Sequence, residues 1–130
     1  RKRERIFAIS YLRELALSSP NGVSRMDKDF SQFLIGLTKR RNTHIFVFSD
    51  QGGSPNNGEK SSSPFLSIRV PPSFSAAFPN RIHNLKINAR ERTTTHYDVH
   101  ETLIDISKGF KSVSPQSSNA TQGTSLFTEI

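Results

Sequence analysis

Two stretches in the first third of the chain place apolar residues at the spacing of a helix. Between residues 3 and 17 these residues recur at three-residue steps, and the pattern ends at the turn-forming sequence SSPNG. Between residues 27 and 40 they recur at i, i+3 and i+7, as Phe30, Phe33 and Leu37 do. One face of a helix repeats at these intervals, so the pattern predicts two amphipathic helices.

Continuous apolar runs replace this pattern in the middle of the chain. Residues 44–48, HIFVF, show no polar alternation, which predicts a strand buried on both faces inside a parallel or mixed sheet. A second strand is predicted in residues 64–70, PFLSIRV, and it ends at Pro71 and Pro72, which cannot donate ladder hydrogen bonds. Two strands alone make a marginal sheet in water, so the sequence predicts part of a larger α/β sheet.

Two further helices are predicted after the second strand. The first is short and spans residues 79–87. The second begins with Asp98 as its N-cap, has Glu101 three residues later to complete a capping box, and ends at Gly109. Apolar residues at helical spacing lie between these two ends, so this last helix has both a start signal and a stop signal.

Composition separates the end of the chain from the rest. The chain has 130 residues, which is enough for one domain with a modest core. From Lys111 to Gln122 it is rich in Ser, Gln, Asn and Thr, as mobile linkers are, and the apolar sequence SLF follows. We therefore expect residues 1–110 to form the α/β domain and residues 111–130 a flexible tail with a short apolar end.

The chain is basic, with a formal net charge of +7, which admits an anionic partner such as nucleic acid or a membrane surface. Much of this excess lies in the clusters RKRER and TKRR, which are typical of solvated helix ends. None of the usual nucleic-acid recognition signatures occurs, so we expect no nucleic-acid partner. No apolar run reaches the length of a membrane span, and the absence of cysteine excludes disulfides and cysteine–metal sites from this sequence.

Two histidines lie close to an acid in the last predicted helix. His96 and His100 are four residues apart with Asp98 between them, a spacing that admits a zinc site. If Asp98 is the N-cap, His96 lies outside the helix, so we favour the capping role over a metal site. His44 and His83 stand alone in the sequence, and for them we favour exposure or local hydrogen bonding over catalysis.

Four sequence blocks follow one another between residues 42 and 127: NTHIFVFSDQGG, PFLSIRVPP, NLKINARERTTTHYDVHETL and GTSLF. Together they closely resemble the C-terminal portion of a metazoan sulfatase-like family of unknown function in the alkaline-phosphatase superfamily. The earlier sequence NGVSRMDKDFSQFLIGL is similar to the helix that precedes the strand in that family. The resemblance implies an α/β fold, namely the C-terminal part only of a three-layer sandwich of the alkaline-phosphatase/sulfatase type.

The resemblance also implies a metal site at the end of the first strand. In that superfamily the Asp and His of a Ser-Asp-His-Gly motif are metal ligands, and here Asp50 falls on the Asp and Gln51 on the His. A divalent cation at such a strand end polarises a sulfate or phosphate ester. Glutamine offers a carbonyl oxygen that suits calcium, but not the imidazole nitrogen that zinc prefers. Without the resemblance, we favour a turn or cap role for Asp50, because Asp-x-Gly sequences favour turns. With the resemblance, we favour an ancestral metal-ligand position for Asp50 over present-day metal binding.

Several residues depart from the family pattern. Gln51 replaces the His, His96 stands where the family has proline, Ser19 and Pro20 stand where it has a His-Asp pair, and the loop before Pro64 is shorter. The family's nucleophile lies in an N-terminal half that this sequence does not include. We therefore expect a fragment or degenerate member of a sulfatase-like ester hydrolase family that is not catalytically competent by itself. The alternatives are a non-enzymatic pseudoenzyme or interaction module of the same fold and, on charge alone, a basic anion-binding domain.

The resemblance further implies a substrate class and a location. A sulfate or phosphate ester is the expected substrate only if the N-terminal half is present. The family is expected in the secretory pathway or outside the cell. The sequence Asn119-Ala120-Thr121 is a glycosylation acceptor pattern. It matters only if the protein enters the secretory pathway, where Asn residues are glycosylated.

Overall fold

The computed structural model describes residues 6–12, 22–50, 64–110 and 123–129. In this part of the chain the elements are α1 (Gly22–Thr38), β1 (Ile45–Phe48), β2 (Leu66–Arg69), α2 (Pro72–Ala77), α3 (Pro79–Glu91) and α4 (His96–Ser107). The fold class is therefore mixed α/β. The chain divides into two compact units, residues 1–40 and residues 41–130.

The first unit contains α1. The helix predicted in residues 27–40 is confirmed, although it begins earlier, at Gly22, and ends at Thr38. The rings of Phe30 and Phe33 stack on one side of it, with their centroids 6.5 Å apart. Here the two residues lie three apart on one face, as the helical spacing predicted.

The helix predicted between residues 3 and 17 is wrong over residues 6–12, which are not helical. The rest of that predicted helix lies outside the described residues. Ile6 is 89% exposed and Ile9 is 79% exposed, so the apolar residues that gave the pattern bury little surface. Most of the stability of a protein helix comes from packing of its apolar face, and the pattern alone does not supply that packing.

The second unit begins with a β-hairpin. Strand β1 pairs antiparallel with β2, from Ile45 opposite Arg69 to Phe48 opposite Leu66. Both predicted strands are confirmed. Burial of β1 on both faces is wrong for the described residues, since none of its side chains is fully buried and Phe48 is 41% exposed. A continuous apolar run does not distinguish a strand that is buried on both faces from one that is only partly buried. The three-layer sandwich of the alkaline-phosphatase/sulfatase type stays a prediction.

Two helices that begin with proline follow the hairpin. Pro72 is at the start of α2 and Pro79 at the start of α3, where a missing backbone N–H costs nothing. The sequence located the end of β2 at Pro71 but missed α2, which has only six residues. The helix predicted in residues 79–87 is confirmed as α3 and extends to Glu91.

The last helix, α4, begins three residues earlier than the sequence predicted. Its N-cap is Thr95, whose backbone N–H donates to the carboxylate of Asp98 at 2.8 Å, while the Asp98 N–H donates to the Thr95 hydroxyl at 3.3 Å. The prediction that Asp98 is the N-cap with Glu101 as its partner is therefore wrong, because Thr95 and Asp98 form the capping box. His96 is consequently the first residue of α4 and does not lie outside it.

Gly109 ends α4, as predicted. It has a φ of 71°, a conformation that glycine adopts without steric cost. Its N–H donates to the Ile106 carbonyl at 3.0 Å, and the Phe110 N–H donates to the Asp105 carbonyl at 3.1 Å. These two bonds are the Schellman arrangement that satisfies the last carbonyls of a helix.

The core of the second unit is aromatic, and residues 123–129, here called the C-terminal segment, contribute to it. Leu126 is 2% exposed and Phe127 is 1% exposed. Four phenylalanine rings lie with neighbouring centroids 4.6 to 5.6 Å apart: Phe74, Phe78, Phe110 and Phe127. The predicted tail thus ends in a segment that is packed into the core, while residues 111–122 lie outside the described residues.

Candidate functional site

Ser49 and Asp50, here called the strand exit, follow directly on β1. The Ser49 N–H donates to the Phe65 carbonyl at 3.0 Å, and the Phe65 N–H donates to the Ser49 hydroxyl at 2.8 Å. The pairing of the two strands therefore continues to Ser49, one residue past β1. At this position the Ser49 hydroxyl, and not its carbonyl, accepts the hydrogen bond from the Phe65 N–H. Asp50 comes next and is exposed. The hairpin thus places a carboxylate at the carboxyl end of β1, where the sequence predicted it.

His96 reaches the strand exit from the first position of α4. Its Nε2 lies 2.9 Å from the Ser49 carbonyl oxygen, although the two residues are 47 positions apart. The imidazole also packs edge-on against Phe48, with the ring centroids 6.0 Å apart. Sequence reasoning weighed His96 as a partner of His100 and as a departure from the family's proline, and did not place it near the strand exit.

The three residues of the possible zinc site, His96, Asp98 and His100, each bond to different partners. His96 faces Ser49, and Nδ1 of His100 lies 3.2 Å from the Glu101 carboxylate on the exposed side of α4. Asp98 is directed inward and bonds to the capping residues. The three side chains therefore do not converge on one point.

Asp98 is the centre of a buried polar network. One carboxylate oxygen accepts from the Thr124 N–H at 2.8 Å and from the Arg92 guanidinium at 3.0 Å, and the other accepts from the Thr95 N–H and hydroxyl. Burial by itself would raise the pKa of Asp98, but the hydrogen bonds from Thr124 and Thr95 and the charge of Arg92 together hold it below its ordinary value. Asp98 is therefore a structural group that is ionised near neutral pH, which does not suit proton transfer there.

The same network holds the C-terminal segment against α3 and α4. The Leu126 N–H donates to the Thr102 hydroxyl at 2.9 Å, and that hydroxyl donates to the Asp98 carbonyl at 2.6 Å. The side-chain amide of Asn88 donates to the Leu126 and Thr128 carbonyls, both at 3.0 Å. Sequence reasoning missed Asn88 and Thr102, although a fully buried polar residue on a helix implies a specific partner.

A second ion pair lies at the other end of α4. Arg81 donates to Asp105 at 2.8 Å and lies over the ring of Phe110 at 4.9 Å from its centroid. The Ser125 hydroxyl donates to the same carboxylate at 2.9 Å. Asp105 therefore links α3 to the C-terminal segment, in a structural role like that of Asp98.

His44 and His83 differ in their surroundings. His83 is exposed on α3. His44 packs edge-on against Phe74 at 5.0 Å, and its buried Nε2 has no hydrogen-bond partner among the described residues. Burial lowers the pKa of His44, because the charged imidazole loses its hydration there. In the described part of the chain, His44 is therefore a packed structural residue and His83 is a solvated one.

The residues at the strand exit fit a metal only in part. The Asp50 carboxylate is a hard oxygen donor of the kind that Mg²⁺, Ca²⁺ and Mn²⁺ accept. Gln51 lies outside the described residues. Within the described ranges, no group of three or more His, Cys, Asp or Glu side chains is arranged to hold a metal ion. Asp50 can therefore serve as one ligand, and a complete site needs further ligands.

The fold and this site define a mixed α/β protein with one candidate ligand side chain at the end of a hairpin strand. The whole chain, residues 1–130, matches the family model described as Protein of unknown function (DUF229), and the chain belongs to that family. DUF229 is a sulfatase-like family, so the resemblance found in the sequence is confirmed at that level. No curated protein and no solved structure matches the chain. Across the described ranges, none of the helices combines the length and the apolar character that crossing a bilayer requires.

Proposed function

We propose that this chain forms the C-terminal part of a sulfatase-like ester hydrolase and supplies Asp50 as one ligand of its divalent metal. The observation that carries the proposal is the strand exit. Ser49 is fixed to Phe65 of the neighbouring chain segment by two hydrogen bonds, and the exposed Asp50 carboxylate follows it directly. A ligand at the end of a fixed strand is held in place before the metal arrives, which favours binding.

The proposed chemistry is hydrolysis of a sulfate or phosphate ester. When bound, the divalent metal polarises the ester and stabilises the charge that develops on it. Asp50 contributes a negatively charged oxygen to that metal. The nucleophile and the remaining ligands must come from residues outside the described part of the chain. The alkaline-phosphatase type of sandwich and a location in the secretory pathway belong to the same proposal.

A pseudoenzyme is the second candidate, and Gln51 is the observation that favours it. An amide in the place of an imidazole removes the nitrogen donor that zinc prefers and leaves oxygen donors, which suit Mg²⁺, Ca²⁺ and Mn²⁺. The packing of α3, α4 and the C-terminal segment uses hydrogen bonds from the protein's own side chains, such as those of Asn88 and Thr102. On this hypothesis the chain retains the fold of the family after losing its metal.

Paramagnetic broadening by Mn²⁺ tests the proposal on the full chain. With the wild-type protein we expect amide signals of Ser49 and Asp50 to broaden as Mn²⁺ is added. Asp50→Asn should remove this broadening. Glu91→Gln, which removes the same charge from the exposed end of α3, should leave it unchanged. Equal broadening in the wild-type protein and in Asp50→Asn would contradict the proposed role of Asp50.

Gln51→His separates the two candidates. If the chain is part of a working metal site, the wild-type protein binds Mn²⁺ through its oxygen donors, and binding is present without the Gln51→His substitution. If the chain is a pseudoenzyme, the wild-type protein shows no broadening at the strand exit and only Gln51→His does.

A further inference from the structure

We propose that His96 is a positioning residue for Asp50. Its Nε2–H donates a hydrogen bond to the Ser49 carbonyl and thereby fixes the direction in which Asp50 leaves β1. The functional part of this inference rests on the proposed function, in which Asp50 is a metal ligand. The structural part stands on the contacts around Ser49 and is tested without a metal.

The carbonyl that His96 contacts belongs to the peptide unit that begins Asp50. A peptide unit is planar, so the Ser49 carbonyl and the Asp50 nitrogen turn together as one rigid plane. Nε2 of His96 lies 2.9 Å from that carbonyl oxygen, which is the normal length of a hydrogen bond. Holding the oxygen therefore holds the backbone from which the Asp50 side chain projects.

All three polar groups of Ser49 are then bonded. Its N–H donates to the Phe65 carbonyl, its hydroxyl accepts from the Phe65 N–H, and its carbonyl accepts from His96. The first two bonds fix Ser49 to the hairpin. The bond from His96 adds a restraint on the peptide plane that follows Ser49, and it comes from a different element, α4.

The imidazole is itself held in place. Its ring packs edge-on against Phe48 at 6.0 Å, which restricts its side-chain rotation. Its backbone is the first turn of α4, which the Thr95 and Asp98 capping box secures. Asp98 in turn accepts from the Thr124 N–H of the C-terminal segment at 2.8 Å. The donor to Ser49 is thus presented from a helix start that is secured by a capping box.

Helix α4 does not need a histidine at this position for its own stability. The first helical position tolerates proline well, because its N–H has no partner within the helix. Thr95 has an extended backbone, with φ of −112° and ψ of 165°, and this is the conformation that a residue before proline prefers. His96→Pro therefore removes the imidazole while it preserves the helix start.

The first test is made without metal, by NMR on the full chain and its variants. In the wild-type protein we expect the imidazole ¹⁵N shifts to show the tautomer with hydrogen on Nε2. The Ser49 carbonyl ¹³C shift should change in His96→Pro and return toward the wild-type value in His96→Gln, whose amide nitrogen lies the same number of bonds from Cα. His100→Gln, on the exposed side of α4, is the control and should have no effect. A tautomer with hydrogen on Nδ1, or no change at Ser49 in His96→Pro, overturns the inference.

The second test asks whether this positioning serves Asp50, with Mn²⁺ as the probe. We expect the dissociation constant for Mn²⁺ to rise by about tenfold in His96→Pro, in the range found when residues behind a metal ligand are removed, and to recover in His96→Gln. An equal loss in both variants overturns positioning, because the imidazole itself is then required. If the wild-type protein and Asp50→Asn respond alike, the proposed function fails, and the metal-free test alone decides whether His96 holds Ser49.

Discussion

Gly123 lies at a point where α4 leaves no room for a side chain. A Cβ atom built on Gly123 would lie 2.3 Å from the backbone carbon and oxygen of Tyr97 and 2.7 Å from the Asp98 nitrogen. These are backbone atoms of a capped helix start, so they cannot move aside as a flexible side chain would. The close approach is what allows the Thr124 N–H to reach the Asp98 carboxylate.

We predict that Gly123→Ala lowers the free energy of unfolding by about 3 kcal/mol, the upper end of the usual cost of overpacking. The matched control is Gly36→Ala, since Gly36 lies within α1 and has nothing within 4 Å of a built Cβ. That substitution should raise helix stability by about 1 kcal/mol, because alanine is the better helix former. Urea denaturation measures both changes. A Gly123→Ala protein as stable as the wild type would show that the C-terminal segment does not dock against α4.

His44 is the residue whose ionisation opposes folding. Because burial lowers its pKa, the unfolded chain takes up a proton near the ordinary value of about 6.5, while the folded protein stays neutral to lower pH. Its contribution to stability is thus complete above about pH 6.5 and declines as the pH falls toward the lowered pKa of the folded state.

We predict that His44→Phe flattens this acid-induced loss of stability. The phenyl ring can take the place of the imidazole beside Phe74 and removes a buried nitrogen that has no partner among the described residues. The variant should also be about 1 kcal/mol more stable at neutral pH, since an unsatisfied polar group no longer has to be buried. Denaturation at a series of pH values measures both effects, with exposed His83→Gln as the control. An unchanged pH dependence in His44→Phe would contradict this account.

At the scale of elements, local sequence predicted where most helices and strands lie but not which residue caps α4. Both Thr95 with Asp98 and Asp98 with Glu101 match the pattern of a capping box. The choice between them is made by distant partners, because Asp98 as N3 can accept from Thr124 in the C-terminal segment. The six-residue α2 was missed for a different reason, since it is too short to show a helical period.

We predict that Asp98→Asn costs about 3 kcal/mol of unfolding free energy, because it leaves Arg92 without its buried partner and turns an amide toward N–H donors. The pKa of Asp98 is lowered in the folded state, so the stability from its charge is present above the ordinary Asp pKa and is lost as the pH falls through the lowered value. The gap between wild type and Asp98→Asn should therefore narrow in strong acid. Denaturation of both proteins from neutral to acidic pH measures it, and a constant gap would show that the charge of Asp98 is not what stabilises α4.

At the scale of the whole molecule, the sequence predicted the carboxylate at the strand exit but not its surroundings. Asp50 could be predicted because a strand end is visible in the local pattern. His96 could not, because its contact with Ser49 depends on how α4 packs against the hairpin. The C-terminal segment was predicted as the apolar end of a flexible tail, since a stretch rich in Ser, Gln, Asn and Thr precedes it and only Leu126 and Phe127 are large and apolar. Its burial depends on hydrogen-bond partners in α3 and α4, such as Asn88 and Thr102. The spacing of residues in the sequence does not reveal these partners.

The central claim is that Asp50 is a metal ligand at the end of β1. Anomalous diffraction from crystals of the full chain grown with Mn²⁺ tests this claim most directly, because it locates the ion without reference to any activity. The account predicts an anomalous peak within about 2.3 Å of an Asp50 carboxylate oxygen, a distance in the range of metal–carboxylate bonds. A peak bound elsewhere, with the Asp50 carboxylate facing solvent, would contradict it.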